Sequence, residues 1–249
     1  MLDPEKVLIA VAIGGTSIAI YTDLKWRIIP NKLTYSLITL GIVLNLAIGL
    51  HQLDAWKALS GVAGAAISFA IGYALWLTGG WAGGDVKLFT AYGALLPFYA
   101  PPGMRGLPYP FFITILFNSV IVAIPVIAVY AVIRKALGKS VFYDTVRIED
   151  LEEGMIPAEL IYERNGKIFR SRSMFGIRPL GVKVYADPSR AAGLTKAQIR
   201  VLRRLAREGK IKDELKLKRG MPFAPLLATG LVVGIFYGDL YWKLLFAVM

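Results

Sequence analysis

The chain has 249 residues, of which 56% are hydrophobic, and its mean hydropathy of +0.56 indicates an integral membrane protein rather than a soluble domain. Cysteine is absent and histidine occurs once, which excludes disulfides and thiolate metal sites and leaves too few imidazoles for a conventional zinc hydrolase or a Ser-His-Asp triad. The formal net charge of +12 predicts an anionic partner, either lipid or nucleic acid.

Six apolar stretches are close to the length of about 20 residues that crosses a bilayer. They lie at 7–22, 33–50, 58–77, 86–100, 109–133 and 222–238. We therefore predict an all-α polytopic membrane protein with about six transmembrane helices, five in residues 1–133 and the sixth, with the C-terminal tail, in residues 220–249. The acidic start of the first stretch and the absence of a small-residue cleavage site predict that it is retained rather than removed as a signal peptide.

Two aspartates lie at the ends of apolar stretches. Asp23 ends the first stretch, and Asp85 begins the fourth. Ionisable side chains at membrane depth are energetically expensive, so both are candidates for function. The alternative is that each aspartate ends a helix at a wet interface.

Four glycines precede Asp85, and they interrupt the apolar pattern there. They would let the backbone approach a substrate chain. A phosphate-binding loop is disfavoured, because the segment lacks a preceding strand and a Gly-Lys-Ser/Thr ending. The glycines are Gly79, Gly80, Gly83 and Gly84.

The order of the stretches predicts on which side of the membrane the aspartates lie. Two spans separate the end of the first stretch from the start of the fourth, so Asp23 and Asp85 are expected on the same face. Of the 29 lysines and arginines, 25 fall on that face and 4 on the other. The positive-inside rule then makes the aspartate face cytoplasmic and the N-terminus external.

Residues 134–219 have a different composition, with 21 basic and 11 acidic side chains. Asn165-Gly166 predicts a tight hairpin between two alternating strands, and residues 181–186 alternate as a third strand. Thr195 is a helix N-cap, with the helix running to Glu208 and ending at Gly209. We interpret this segment as a small inserted α+β cytoplasmic domain.

The predicted helix in this domain is basic and amphipathic. We favour contact with an anionic membrane surface, or simple solvation, over nucleic-acid binding, because the domain is tethered beside a membrane. The expected partner of this domain is therefore membrane lipid and not nucleic acid.

A pair of carboxylates at one membrane face can hydrolyse a peptide bond with one water and without a metal or another cofactor. One ionised group activates the water while one protonated group donates to the carbonyl oxygen, and close like charges keep one proton on the pair. Because the two groups titrate as a unit, neither aspartate is assigned a fixed acid or base role.

Three motifs in order resemble those of the type IV prepilin and preflagellin (archaellin) peptidases, membrane aspartic proteases of the GxGD type. They are Asp23-Leu-Lys with Ile29-Pro30-Asn31-Lys-Leu-Thr34, then Gly83-Gly84-Asp85-Val86-Lys87-Leu88, and finally Pro222-Phe223-Ala-Pro225-Leu-Leu-Ala228. The resemblance implies that Asp23 and Asp85 are the catalytic pair and that pilin-like or archaellin precursors are the substrates. It also implies substrate-positioning roles for Pro30, Asn31, Gly83, Gly84, Pro222, Phe223 and Pro225.

Two departures from the family pattern bear on these implications. A strict G-x-G-D motif places glycine at position 82, where this chain has Ala82. The four-cysteine motif of many bacterial members is missing, which argues against a second activity, N-methylation of the product. A late cytoplasmic domain before the last span resembles the archaeal preflagellin-peptidase branch, which implies an archaeal source.

Three alternatives remain from the sequence. The first is another intramembrane aspartic protease, which would cut within a transmembrane helix. The second is a proton-coupled transporter that uses the two carboxylates as a relay. The third is an inactive scaffold with the same fold.

Overall fold

The computed structural model describes residues 3–78, 81–101, 108–141, 143–171, 179–189, 193–218 and 222–248. It divides into two compact units. The first comprises Met1–Ala128 and Pro222–Met249, and the second comprises Val129–Met221.

The first unit is helical. Its elements are α1 (Pro4–Trp26), α2 (Asn31–Gln52), α3 (Ala55–Leu77), α4 (Gly83–Leu95), most of α5 (Phe111–Ala136), α7 (Ala224–Phe236) and α8 (Leu240–Val248). Each helix has at least one end within a few residues of the end of a predicted apolar stretch. Helix α4 ends five residues before the fourth stretch does. The prediction of a multi-pass, mostly helical membrane protein with a small strand-containing domain is confirmed.

The predicted number of about six spans is not confirmed. Within the described residues, α1, α2, α3 and α5 are long and apolar enough to cross a membrane, and a fifth span results if α7 and α8 are counted as one bent pair. Helix α4 has 13 residues. At 1.5 Å per residue it is about 20 Å long, less than the roughly 30 Å of a hydrocarbon core.

Helix α4 is short because a proline follows it and a side chain of a neighbouring helix hydrogen-bonds the carbonyl groups at its end. Pro97 cannot continue a helix, and Leu96 before it leaves the helical region with φ −127° and ψ 51°. The carbonyls of Ala94 and Leu95 accept hydrogen bonds from Nδ2 of Asn45 on α2, at 2.9 and 3.2 Å. A buried side chain of α2 therefore satisfies two backbone groups that the helix end leaves unpaired.

Small residues let α3 lie directly against α4. A Cβ added at Gly64 would lie 2.0 Å from the carbonyl oxygen of Gly93, and one added at Gly93 would lie 2.1 Å from Oγ of Ser68. Backbones approach this closely in membranes only where side chains are small. From Asp85 to Leu95, every side chain of α4 except that of Lys87 is buried, so this helix forms the centre of the first unit.

Helices α7 and α8 are bent by 66° at a short break. Gly238 has a φ of +94°, which favours glycine. Asp239 is fully buried and accepts hydrogen bonds from the hydroxyls of Tyr109 and Thr114, both at 2.7 Å. Its other oxygen accepts from the backbone N–H of Trp242 at 3.0 Å, which caps α8.

The second unit contains two small antiparallel sheets and one helix. The strands are β1 (Tyr143–Val146), β2 (Leu160–Arg164), β3 (Lys167–Ser171), β4 (Lys183–Ala186) and β5 (Leu215–Lys218), with the helix α6 (Lys196–Arg207) between β4 and β5. One sheet has the order β3–β2–β4, and the other pairs β1 with β5. A 3-10 turn, Ile148–Asp150, packs against α6, and the buried side chains between them include Ile148, Leu202 and Leu205.

The local predictions for this segment are confirmed. Asn165 and Gly166 both have positive φ, at 51° and 73°, as a two-residue hairpin loop requires. The side chain of Thr195 accepts from the backbone N–H of Gln198 and caps α6. Gly209, where the helix was expected to end, has a φ of +66°.

Candidate active site

Asp23 lies in the last turn of α1, and its side chain is turned toward another helix. The residue is 7% exposed, and its Oδ2 accepts a hydrogen bond at 3.2 Å from the backbone N–H of Ala224. Ala224 is the first residue of α7, where backbone N–H groups have no partner within the helix. The partial positive charge of that helix end suits a carboxylate.

Asp85 is the third residue of α4, and it is 6% exposed. Its Oδ2 accepts a hydrogen bond at 3.0 Å from the backbone N–H of Ala82. This is the half of a capping box in which an acidic side chain reaches back to the N-cap backbone. The interaction holds the carboxylate over the start of its own helix.

The two aspartates are brought to the same end of the helical unit. Asp23 contacts the first residue of α7, and the residues just before α4 and α7 are also in contact with each other. The ring of Trp81, just before α4, lies 5.4 Å from the ring of Phe223, just before α7. Gly84 packs against Ile29, where a Cβ on the glycine would come within 3.1 Å of the isoleucine side chain.

The first and second motifs are joined directly. Nζ of Lys87, two residues after Asp85, donates to Oδ1 of Asn31 at 2.6 Å. The same ammonium group lies 5.4 Å from the ring centroid of Tyr35. Pro30 is the N-cap residue of α2, in an extended conformation that ends the connection from α1. Lys87 is therefore tied to the start of α2.

The remaining residues implied by the resemblance have less distinctive surroundings. Gly83 is exposed, and among the described residues a Cβ added there would meet no atom within 4 Å beyond its own helix and chain neighbours. Pro222 and Pro225 are half-buried, and Pro225 occupies the first turn of α7, where its missing N–H costs nothing. Gly79 and Gly80 lie outside the described residues.

The alanine that departs from the strict motif fits its position. Ala82 has φ −84° and ψ 158°, an extended conformation that any residue adopts. Its backbone N–H makes the hydrogen bond to Asp85, and this needs no particular side chain. The substitution therefore leaves the placement of the aspartate intact.

Two contacts at this site were not predicted from the sequence. The backbone N–H of Ala224 is the hydrogen-bond donor to Asp23, and no side-chain motif signals a backbone donor. Trp81 is 9% exposed and packs against Phe89 as well as Phe223, at 5.3 Å between ring centroids in the first case. The sequence signal for this packing was a tryptophan within the glycine-rich segment that interrupts the apolar pattern.

Known proteins match the chain over most of its length. Residues 10–127 match the type IV leader peptidase family, and residues 119–217 match the archaeal peptidase A24 C-terminal domain. The chain is 27% identical to the prepilin peptidase EppA of Methanothermobacter thermautotrophicus over 95% of each protein. It is also 32% identical to a preflagellin peptidase of Methanococcus voltae, over 47% of this chain and 54% of that protein.

These matches confirm the resemblance that the three motifs indicated, including its peptidase activity. They agree with the helical architecture of a multi-pass membrane protein. The chain therefore belongs to the type IV leader peptidase family and is a leader-cleaving aspartic peptidase of the membrane.

Proposed function

We propose that Asp23 and Asp85 are the catalytic pair and that the substrates are pilin-like or archaellin precursors. The observation that carries the proposal is that two buried carboxylates, from different helices, lie at one end of the helical unit, where the starts of α4 and α7 meet the end of α1. The names of the relatives, a prepilin peptidase and a preflagellin peptidase, support this substrate class.

The pair acts on the scissile amide through one water. One carboxylate takes a proton from the water as its oxygen bonds to the carbonyl carbon, and the protonated partner donates its proton to the carbonyl oxygen. The tetrahedral intermediate then collapses: one of its hydroxyls returns a proton to the ionised carboxylate, the C–N bond breaks, and the leaving nitrogen takes the proton of the other carboxyl. Atoms and charges balance, and the pair returns to its singly protonated state.

The surroundings of the pair divide into supporting and substrate-facing parts. Gly84, Asn31 and Phe223 have partners within the protein, so they position the helix ends that carry the aspartates. Gly83 is exposed, a Cβ built on it would contact no other part of the described chain, and the position is suited to close approach by an extended substrate chain. We assign Pro30, Pro222 and Pro225 to shaping the helix starts around that space.

The site is proposed to face the cytoplasm. Precursors of this class carry a short basic leader followed by an apolar helix, so their scissile bond lies where a membrane helix meets water. The excess of basic side chains on the aspartate face supports this orientation through the positive-inside rule. The domain of residues 134–219 would then lie on the same side, where its basic α6 can contact anionic lipid rather than nucleic acid.

The test is cleavage of a preflagellin and a prepilin by the full chain in membranes. Asp23→Asn and Asp85→Asn should each abolish cleavage of either precursor without reducing the amount of inserted protein, because each removes one member of the proton-sharing pair. Asp54→Asn is the matched control, since the Asp54 side chain caps the start of α3 by accepting from the backbone N–H of Lys57. Full cleavage by either site variant would overturn the assignment.

The same proteins distinguish the leader peptidase from the two alternatives, a proton-coupled transporter and a protease that cuts within a transmembrane helix. A proton-coupled transporter would lose proton uptake in proteoliposomes, and no precursor would be cut by the parent protein. A protease that cuts within a transmembrane helix would release a product shortened inside its apolar segment. Mass spectrometry of the product, with cleavage placed just before that segment, identifies the leader peptidase.

A further inference from the structure

Two hydroxyl groups meet in the interior of the helical unit, between the helices that carry the aspartates. Oγ1 of Thr16 on α1 and the hydroxyl of Tyr92 on α4 are hydrogen-bonded at 3.0 Å. Both residues are buried, at 3% and 1% exposure. The proposed hydrolysis uses neither group directly.

A third group, the carbonyl of Ala12, determines which of the two hydroxyls donates its proton to the other. Oγ1 of Thr16 also lies 2.6 Å from the carbonyl oxygen of Ala12, which can only accept. Since threonine has one hydroxyl proton, both bonds are satisfied when Thr16 donates to Ala12 and Tyr92 donates to Thr16. The tyrosine hydroxyl is thereby fixed to one point on α1.

The spacing along the two helices connects this contact to the active site. Thr16 precedes Asp23 by seven residues, and Tyr92 follows Asp85 by seven residues. Seven residues are close to two turns, so each hydroxyl lies on nearly the same helix face as its aspartate, about 10 Å further along the axis. Helices α1 and α4 run in opposite directions, so the two aspartates face each other at one level of the helix contact. The two hydroxyls face each other at a second level, about two turns away.

A hydroxyl pair can hold this alignment more tightly than apolar packing can. Apolar contacts are non-directional, so they tolerate a small slide of one helix along another. A hydrogen bond weakens steeply when its angle or length changes. A slide of one residue between α1 and α4 would move the aspartates about 1.5 Å apart along the axis and would break the bond between Thr16 and Tyr92.

We propose that the Thr16–Tyr92 hydroxyl pair is a positioning device that sets the register of α1 against α4 and thereby the spacing of Asp23 and Asp85. The proposal rests on the proposed function in one respect, because the aspartate spacing matters for activity only if the pair is catalytic. Neither hydroxyl residue touches the reacting atoms.

The first test is steady-state cleavage of a preflagellin by hydroxyl-deletion variants. Tyr92→Phe and Thr16→Val should each lower kcat by about tenfold or more, because small misplacements of reacting groups cost up to about 100-fold in rate, and KM should not change. Thr16→Ser keeps the hydroxyl, so its kcat should equal that of the parent protein. Thr90→Val is the matched control, since its buried hydroxyl bonds the carbonyl of Val86 within its own helix, α4.

The second test measures the spacing itself and does not depend on catalysis. The chain has no cysteine, so Asp23→Cys with Asp85→Cys introduces one pair of thiols whose oxidative cross-linking reports their proximity. Adding Tyr92→Phe or Thr16→Val should reduce the cross-linking yield several-fold, whereas Thr16→Ser and Thr90→Val should leave it unchanged. Reduced cross-linking together with active Asp23→Asn and Asp85→Asn variants would refute the catalytic pair but uphold the positioning role. Unchanged cross-linking and unchanged kcat in Tyr92→Phe would overturn the positioning role.

Discussion

Replacement of Asn45 by leucine tests how the short central helix is held in the membrane. The side chain of Asn45 is fully buried on α2, and the two hydrogens on its Nδ2 are shared among the carbonyls of Gly41, Ala94 and Leu95. Leucine has a similar size and no donor, so Asn45→Leu removes these bonds with little change in volume. The carbonyl of Gly41 keeps its partner within α2, but the two carbonyls at the end of α4 lose theirs.

The expected cost follows from those two carbonyls. A buried polar group left without a partner costs about 1–3 kcal/mol, whereas side-chain hydrogen bonds in membrane proteins average about 0.6 kcal/mol. Part of the cost is offset because Oδ1 of Asn45 has no hydrogen-bond partner among the described residues, and the substitution removes it. We expect the free energy of unfolding to fall by about 2 kcal/mol.

The measurement is an SDS titration of the full chain in mixed micelles, followed by circular dichroism. Ser60→Ala is the matched control, because the buried hydroxyl of Ser60 bonds the carbonyl of Lys57 within its own helix. Its effect should stay below about 0.5 kcal/mol, as is usual for changes that leave no group unpaired. Equal losses for Asn45→Leu and Ser60→Ala would show that Asn45 does not hold the end of α4.

Two further predictions concern packing and orientation. Gly93→Ala should lower the free energy of unfolding by about 1–3 kcal/mol or prevent insertion, because its Cβ would lie 2.1 Å from Oγ of Ser68. Gly14→Ala should have no effect, because among the described residues its Cβ would meet no atom within 4 Å outside its own helix and chain neighbours. Comparable stability of the two variants in the same titration would contradict the close packing. In intact cells, an impermeant maleimide should label Lys6→Cys, while Lys212→Cys should react only after the membrane is permeabilised. The reverse pattern would refute the proposed orientation.

Features with a local cause could be predicted from the sequence. The hairpin at Asn165-Gly166 depends on two adjacent residues that tolerate positive φ, and the start of α6 depends on one capping side chain. The apolar stretches located the membrane helices because length and hydropathy are properties of each segment alone. The two aspartates were recognisable because a carboxylate is unusual at such a position.

Features that depend on distant partners could not be predicted in the same way. Strands β1 and β5 are four residues each and pair across about 70 residues of chain, so neither has enough alternation to be recognised alone. The end of α4 was expected at residue 100, although Pro97 was a signal for an earlier stop. Asn45 and Asp239 were also visible as polar residues in or beside apolar stretches, but their hydrogen-bond partners lie on other helices.

The most direct test of the catalytic pair is whether its two members act as one unit. Cleavage of a preflagellin should be measured for Asp23→Asn, for Asp85→Asn and for the double variant, in membranes with equal amounts of inserted protein. Groups that share one proton are strongly non-additive, so all three proteins should have the same residual rate. A double variant whose loss equals the product of two partial single losses would show that Asp23 and Asp85 act independently, and the shared-proton mechanism would be wrong.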